Sequence, residues 1–400
     1  MSSREQIGAL GGLLGLSGDE QEARGLRHTP REIRQQPATW EQTYRLCAER
    51  APELREWLAA AGIGAAGAAR PAVWLIGAGT SDYVGRSLTH LLRRAWQCEV
   101  LAVPSTDLLT EYEELILPGR PYLWLSFSRS GESPEGVAAL ALALERYPAI
   151  RHFVITCNRR GRMAEQFGSR PGVSCLVLAE AVNDRGLVMT SSYSNMVIAG
   201  QCLAHLPGLA DYEGTLAALA GAAERLLAPA ADLATQLSAE GYDKACFVGT
   251  GPLKAAARES ALKVLELTAG RVDTLAESSL GIRHGPLSAL DDRTLLVSFL
   301  SGDERRRGYE LDLLAEVKAK RLGKTTVAIA PARGDRAEGV ADVVLPLDLP
   351  RSFSDACRPP ADVIFGQLLG LFASLRLGLR PDAPSPSGAI TRVVPQVNIY

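Results

Sequence analysis

Two serine- and glycine-bearing loops and one charged helix face carry side chains whose types and spacing could do chemistry. The segment SFSRSGES at 126–133 sets Ser128, Ser130 and Ser133 around Arg129 and Gly131, directly after the apolar run YLWLSF. The segment IGAGTS, starting at Ile76, sets Gly77, Gly79, Thr80 and Ser81 after another apolar run, AVWLIG. Hydroxyls and backbone N–H groups gathered where a strand turns into a helix suit a phosphate, which needs several short hydrogen bonds but no large positive patch. An isolated Ser-x-Ser-Gly is also common as turn and cap chemistry, and Ser133-Pro134-Glu135 reads as an ordinary helix start. The pairing of two such loops is what points to an anion. Neither loop is a dinucleotide fingerprint, because G-x-G-x-x-G would need glycine where Asp82 stands, and no Gly-Lys-Ser/Thr of a Walker loop follows either.

The charged stretch RESALKVLE at 258–266 places Glu259, Lys263 and Glu266 at i, i+4 and i+7, on one face of a helix. Spacing alone fits a solvated face. The preceding VGTGP, however, puts the start of this helix at the strand-end edge where open α/β sheets bind ligands. Glu259 can hold Lys263, and Glu266 is the better candidate for proton transfer. His284 sits in the tight turn Arg283-His284-Gly285-Pro286, where it either caps the turn or exchanges protons near neutral pH.

These residues need a scaffold, and the sequence describes one. From Ala72 onward short apolar runs alternate with helical segments, the pattern of an α/β protein with a parallel sheet. The pattern occurs twice. Gly77 and Ser126 are separated by 49 residues, as are Gly249 and Ser298, and the two sets lie 172 residues apart. This predicts a helical segment at 1–70, a first α/β domain at 71–210 with the phosphate loops, a second at 211–380 with the charged helix and the histidine turn, and a tail at 381–400. Thr29-Pro30-Arg31-Glu32 predicts a capping box at a helix start, 59–69 a helix end and linker, and 212–241 a long connecting helix. The second copy has Pro252, Leu253 and Leu300 at or near the places of hydroxyl residues, so a single phosphate site per chain is expected, in the first copy.

Composition sets the outer bounds. Apolar residues make up 46% and charged residues 22% of the 400, with a formal charge of −2, so the chain offers no general attraction to nucleic acid or anionic lipid. Seven scattered cysteines without a C-x-x-C pair suggest a reduced, cytoplasmic setting without disulfides. No apolar run approaches the ~18 residues of a membrane span. The stretch IGALGGLLGL, preceded only by Arg4 and followed by no A-x-A site, reads as a short helix. No H-E-x-x-H, Cys/His cluster or EF-hand pattern occurs, so neither metal nor other cofactor is expected.

The segments TPREIRQQPATW, GAGTSDYVG, VPSTDLL, SFSRSGESPE, ITCNRRG, NDRGLVMTSSYSN and ESSLGIRHGPLSALDD together resemble the sugar isomerase (SIS) family, and within it the galactosamine-6-phosphate deaminase/isomerase branch, also labelled tagatose-6-phosphate ketose/aldose isomerase. The resemblance implies two tandem SIS-type, flavodoxin-like α-β-α sandwich domains. By similarity to the isomerase half of glucosamine-6-phosphate synthase, Ser81, Ser128, Ser130 and Ser133 would contact the sugar phosphate, with Gly79, Thr80 and Arg129 in the same loops. Thr190 and Ser191 would lie near the sugar hydroxyls, Glu259, Lys263 and Glu266 would form the acid-base helix, and His284 would assist ring opening, reaching into the partner's site in a homodimer. The implied reaction deaminates and isomerises an amino-hexose 6-phosphate. Plain aldose-ketose isomerisation uses the same groups. A phosphosugar-sensing regulator would instead need a basic recognition helix or an eroded acid-base helix, and neither is evident. Nothing resembles the synthase's glutaminase, so glutamine-dependent amination is not expected. The tail TRVVPQVNIY lacks the synthase's lysine and offers Arg392 as its one strongly basic residue.

Overall fold

The computed structural model of the chain describes residues 7–64, 70–334, 336–395 and 397–400. Contacts divide it into two compact units. One comprises Ala38–Asp184, Ser191–Leu216 and Thr391–Tyr400; the other comprises the residues up to Pro37, Arg185–Thr190 and Ala217–Ile390.

The first of these units is built on five parallel strands, β1 Ala72–Gly77, β2 Val100–Pro104, β3 Tyr122–Ser128, β4 Arg151–Thr156 and β5 Val173–Val177, in the order β2-β1-β3-β4-β5. Every residue of β1 and β3 is buried, because helices cover both faces of a parallel sheet; this is why these strands read as unbroken apolar runs rather than alternating ones. Trp74 and Trp124 are register partners and stack with ring centroids 5.5 Å apart, while His152, opposite Trp124 on β4, meets that indole edge-on at 5.3 Å. Burial pushes the His152 imidazole down to about 4, and neither ring nitrogen has a hydrogen-bond partner. A histidine held neutral in the folded state supports the fold above its unfolded pKa near 6.5 and withdraws that support as the pH falls toward 4. His152→Phe should therefore remove about 3 kcal/mol of acid sensitivity across that window, seen as wild type losing more denaturation stability than the variant between pH 7 and 4. Equal losses in the two proteins would refute this.

The second unit repeats the plan with β6 Lys244–Gly249, β7 Asp273–Ser278, β8 Thr294–Phe299, β9 Thr325–Ala330 and β10 Val343–Pro346, ordered β10-β9-β8-β6-β7 and again all parallel. Read from the other edge, this is the flavodoxin-like order of the first sheet. The repeat extends to backbone angles. The helices after β1 and β6 open at Thr80 and Pro252, and the glycines before them, Gly79 and Gly251, share φ of 56° and 59° with ψ of −126° in both. A Cβ on Gly77 or Gly249 would lie 2.4 Å from backbone of the following turn, so both corners require glycine.

Within this unit the helix Pro252–Leu267 packs along the helix Pro359–Arg376. Gly366 and Gly370 make the approach possible: a Cβ on the first would sit 2.3 Å from the Ser260 Cβ, and on the second 2.9 Å from the Lys263 carbonyl oxygen. That closeness shuts the buried face of Pro252–Leu267 off from water.

The N-terminal region is helical, but the capping box expected at Thr29–Glu32 does not form. His28 occupies the cap position of the helix Thr29–Arg34 and gives no side-chain cap bond. The Thr29 hydroxyl donates instead to Asp382 at 2.7 Å, and the Glu32 carboxylate accepts the backbone N–H groups of Arg185 at 2.5 Å and Gly186 at 3.3 Å. Distant backbone donors outcompete the local one. A capping box does form between Ser17 and Glu20, whose oxygens accept each other's backbone N–H at 3.3 and 2.9 Å. The stretch IGALGGLLGL carries the helix Gly8–Leu14. The helix Ala51–Ala60 ends inside the expected linker, whose residues Ala65–Ala69 lie outside those described. The long helix is Leu209–Glu240.

Candidate active site

In the first-sheet unit β1 and β3 are hydrogen-bonded neighbours, with Ile76 opposite Ser126, so the loops that follow them leave the sheet side by side. This brings Gly79, Thr80 and Ser81 to the same edge as Ser128, Arg129, Ser130 and Ser133. Thr80, Ser81, Ser128 and Arg129 are buried. The Ser128 hydroxyl oxygen accepts the Gly131 N–H at 3.0 Å, and that of Ser130 accepts the Glu132 N–H at 3.1 Å. Both hydroxyls are thereby fixed as acceptors toward the loop, which leaves their O–H groups to donate to an anion. Ser133 serves the helix Pro134–Arg146, accepting the Gly136 N–H at 3.4 Å and donating to Glu135 at 2.9 Å. Gly131 turns the loop at a φ of 65°.

Two further residues shape this loop without having been singled out in the sequence. The Asn158 amide donates to the Ser130 carbonyl at 2.8 Å, and Gly161 lies so close that a Cβ would come within 2.4 Å of that same oxygen. Both belong to ITCNRRG at the end of β4, the strand next to β3. Position at a third strand end in the same sheet was the available signal.

Arg129 donates from Nη2 to the carbonyl of Arg392. The Arg392 guanidinium in turn donates to the Asp184 carbonyl at 2.7 Å and the Asn183 side chain at 2.8 Å. The tail's basic residue thus ties chain to chain within this unit. Ser191 opens the helix Ser191–Ala204, capped by Asp184, whose carboxylate accepts the N–H groups of Ser191 at 3.1 Å and Ser192 at 2.8 Å. Ser191 is fully buried, as is Thr190, which ends a segment of the other unit.

In the second-sheet unit, Glu259, Lys263 and Glu266 form one connected group. Lys263 Nζ lies 3.3 Å from the Glu259 carboxylate and 2.6 Å from that of Glu266. The Lys263 and Glu259 side chains are 0% exposed and that of Glu266 is 24% exposed, so of the three Glu266 alone reaches solvent. Burial by itself would lower the lysine pKa; the two carboxylates outweigh it and hold the ammonium above its ordinary value. Glu266 borders a cavity of about 630 Å³ whose walls include Leu262, Leu265, Arg271 and residues of the connector from Ser385 to Ile390.

His284 is exposed, in a turn after β7, and does not line that cavity. The turn is fixed by Arg283, which pairs with Glu316 at 2.7 Å and donates to the Ser279 carbonyl at 3.3 Å, and by Gly285 at a φ of 117°. All seven cysteines are free thiols. Among the described residues no helix is long and apolar enough to cross a membrane, and no three His, Cys, Asp or Glu side chains cluster in a way that could hold a metal ion.

No family model matches the chain. It is 41% identical over 375 residues to a Streptomyces coelicolor protein provisionally named D-galactosamine-6-phosphate deaminase AgaS, covering 93% of this chain and 95% of that one. It is 32% identical to the D-galactosamine-6-phosphate deaminase AgaS of Shewanella sp. strain ANA-3, covering 96% and 95%. A Clostridium novyi crystal structure, provisionally a tagatose-6-phosphate ketose/aldose isomerase, superposes with a TM-score of 0.92 at 31% identity, covering 97% of this chain and 98% of the other.

Proposed function

We propose, from the premise that this chain belongs to the D-galactosamine-6-phosphate deaminase AgaS family, that it converts an amino-hexose 6-phosphate, galactosamine 6-phosphate by preference, to the ketose 6-phosphate and ammonia. One observation carries the reading: on the face shared by Glu259, Lys263 and Glu266, two members are sealed from water while the third carboxylate opens on a cavity, gripped by a buried ammonium. A fully solvated charged face would not bury its lysine.

The serine loop holds the substrate phosphate through the hydroxyls of Ser81, Ser128 and Ser130, with Ser133 and the glycine turns shaping the backbone around it. His284 takes the ring hydroxyl proton and protonates the ring oxygen as the sugar opens. Glu266 then removes the proton from C2 of the open aldehyde and delivers it to C1. A proton passes from the C2 amine to the C1 oxygen as well, so the C1 carbonyl becomes a hydroxymethyl group and C2 becomes an imine. Water adds to that carbon, the nitrogen leaves as ammonia, and a C2 ketone remains. Lys263 and Glu259 orient Glu266; Thr190 and Ser191 belong to the loop facing the sugar hydroxyls. The enzyme works in the cytoplasm as a homodimer in which His284, exposed in the single chain, completes the partner's site.

The same groups would isomerise a non-amino hexose phosphate, and the name of the Clostridium novyi structure keeps that reading in play. Ammonia release separates the two. Galactosamine 6-phosphate should yield one ammonia per ketose 6-phosphate formed, faster than glucosamine 6-phosphate. Isomerisation of tagatose 6-phosphate with no ammonia from either amino sugar would replace deamination by simple isomerisation.

A further inference from the structure

The loop after β8 stands in the second sheet where the serine loop stands in the first, two residues shorter between the equivalent serine and the helix start: Ser126 to Pro134 against Ser298 to Glu304. Its donors are spent on the unit's own carboxylates. The Ser301 N–H donates to Glu310 at 2.7 Å, the Gly302 N–H to Asp355 at 2.9 Å, and the Ser301 hydroxyl to the other oxygen of Asp355. Two guanidinium groups complete the shell around that carboxylate, Arg358 at 3.2 Å and Arg306 at 3.4 Å. The Asp355 side chain is only 5% exposed, and a Cβ on Gly302 would meet the Arg351 carbonyl at 2.5 Å, so the covering segment is seated directly on the loop.

A hydroxyl, a backbone N–H at a loop leading into a helix and two arginines are a donor set for a small oxyanion. We propose that Asp355 is the resident anion of the second copy's loop, a carboxylate built into the chain where the duplicated fold would otherwise take a carboxylate- or phosphate-type ligand. The chain then keeps one loop open to substrate phosphate and fills the other from within. The filled loop also secures the start of the helix Glu304–Ala319, whose cap residue Asp303 donates its N–H to Ser301 at 3.1 Å.

Exogenous anions test this in the full-length protein, with no sugar present, so the outcome is independent of the activity. Asp355→Ala should lower the melting temperature by on the order of 10 °C, because it removes the acceptor of the buried Ser301 hydroxyl and the Gly302 N–H and one of the two carboxylates paired with the buried Arg358, the other being Asp362 at 2.9 Å. Formate should restore at least half of that loss in a saturable way, while chloride at matched ionic strength should not. Asp355→Asn keeps the volume but loses the charge; it should be destabilised and gain nothing from formate. If the alanine variant folds only with help, its refolding yield should rise with formate. The proposal is overturned if Asp355→Asn melts with wild type, if formate shifts wild type and Asp355→Ala equally, or if the refolding yield ignores formate.

Discussion

Glu266→Gln is expected to lower kcat for ammonia release by about 10²- to 10⁴-fold, the range for loss of a positioned general base, while KM and unfolding stability stay close to wild type. The two side chains have nearly the same shape, and a glutamine oxygen can still accept from Lys263 Nζ, which now lies 2.6 Å from the carboxylate. The amide cannot take the C2 proton. Because the proposed transfer runs from C2 to C1 through one carboxyl group, substrate deuterated at C2 gives a second readout: wild type should carry deuterium to C1 of the ketose, and the variant should carry almost none. A variant within a factor of ten of wild type, with normal label at C1, would remove Glu266 from the mechanism. His284→Asn would then be the next suspect for proton transfer.

How far such assignments could be read from sequence depended on whether the deciding contact was local. The duplication was legible because its marks are local and strict: Gly77 and Gly249 sit at corners with no room for a Cβ, and Gly79 and Gly251 adopt positive φ at matching positions. The local turn of the serine loop was legible for the same reason, since Ser128 and Ser130 bond to backbone within three residues. The capping box at Thr29 was misread because its competitors, Arg185, Gly186 and Asp382, lie more than 150 residues away. Spacing put Glu259, Lys263 and Glu266 on one face but could not tell a wet face from a dry one. That answer lay in the helix Pro359–Arg376, where Gly366 and Gly370 set the distance of approach. The filling of the second loop by Asp355 was equally out of reach, because the carboxylate arrives from more than 50 residues further on.

The burial of that face makes Lys263→Met the substitution with the largest expected effect on stability. Its side chain is fully buried between two carboxylates, one of which, on Glu259, is fully buried as well. Methionine fills much of the same volume, so little is lost in packing. What is lost is the counter-charge, and Glu259 is left as an uncompensated buried acid near a second acid. Breaking a buried pair in this way costs about 3 to 5 kcal/mol. The companion Glu259→Gln/Lys263→Met should recover most of that loss in urea denaturation, since removing both partners leaves no orphaned charge. Activity should not recover with it: Glu266 would regain a stable scaffold but not the ammonium that orients it, and kcat should stay depressed while stability returns. That dissociation distinguishes a lysine that positions the base from one that merely holds the fold. A Lys263→Met protein as stable as wild type would mean that the buried triad contributes no net stability. A double variant with full kcat would mean that Glu266 needs no orienting partner.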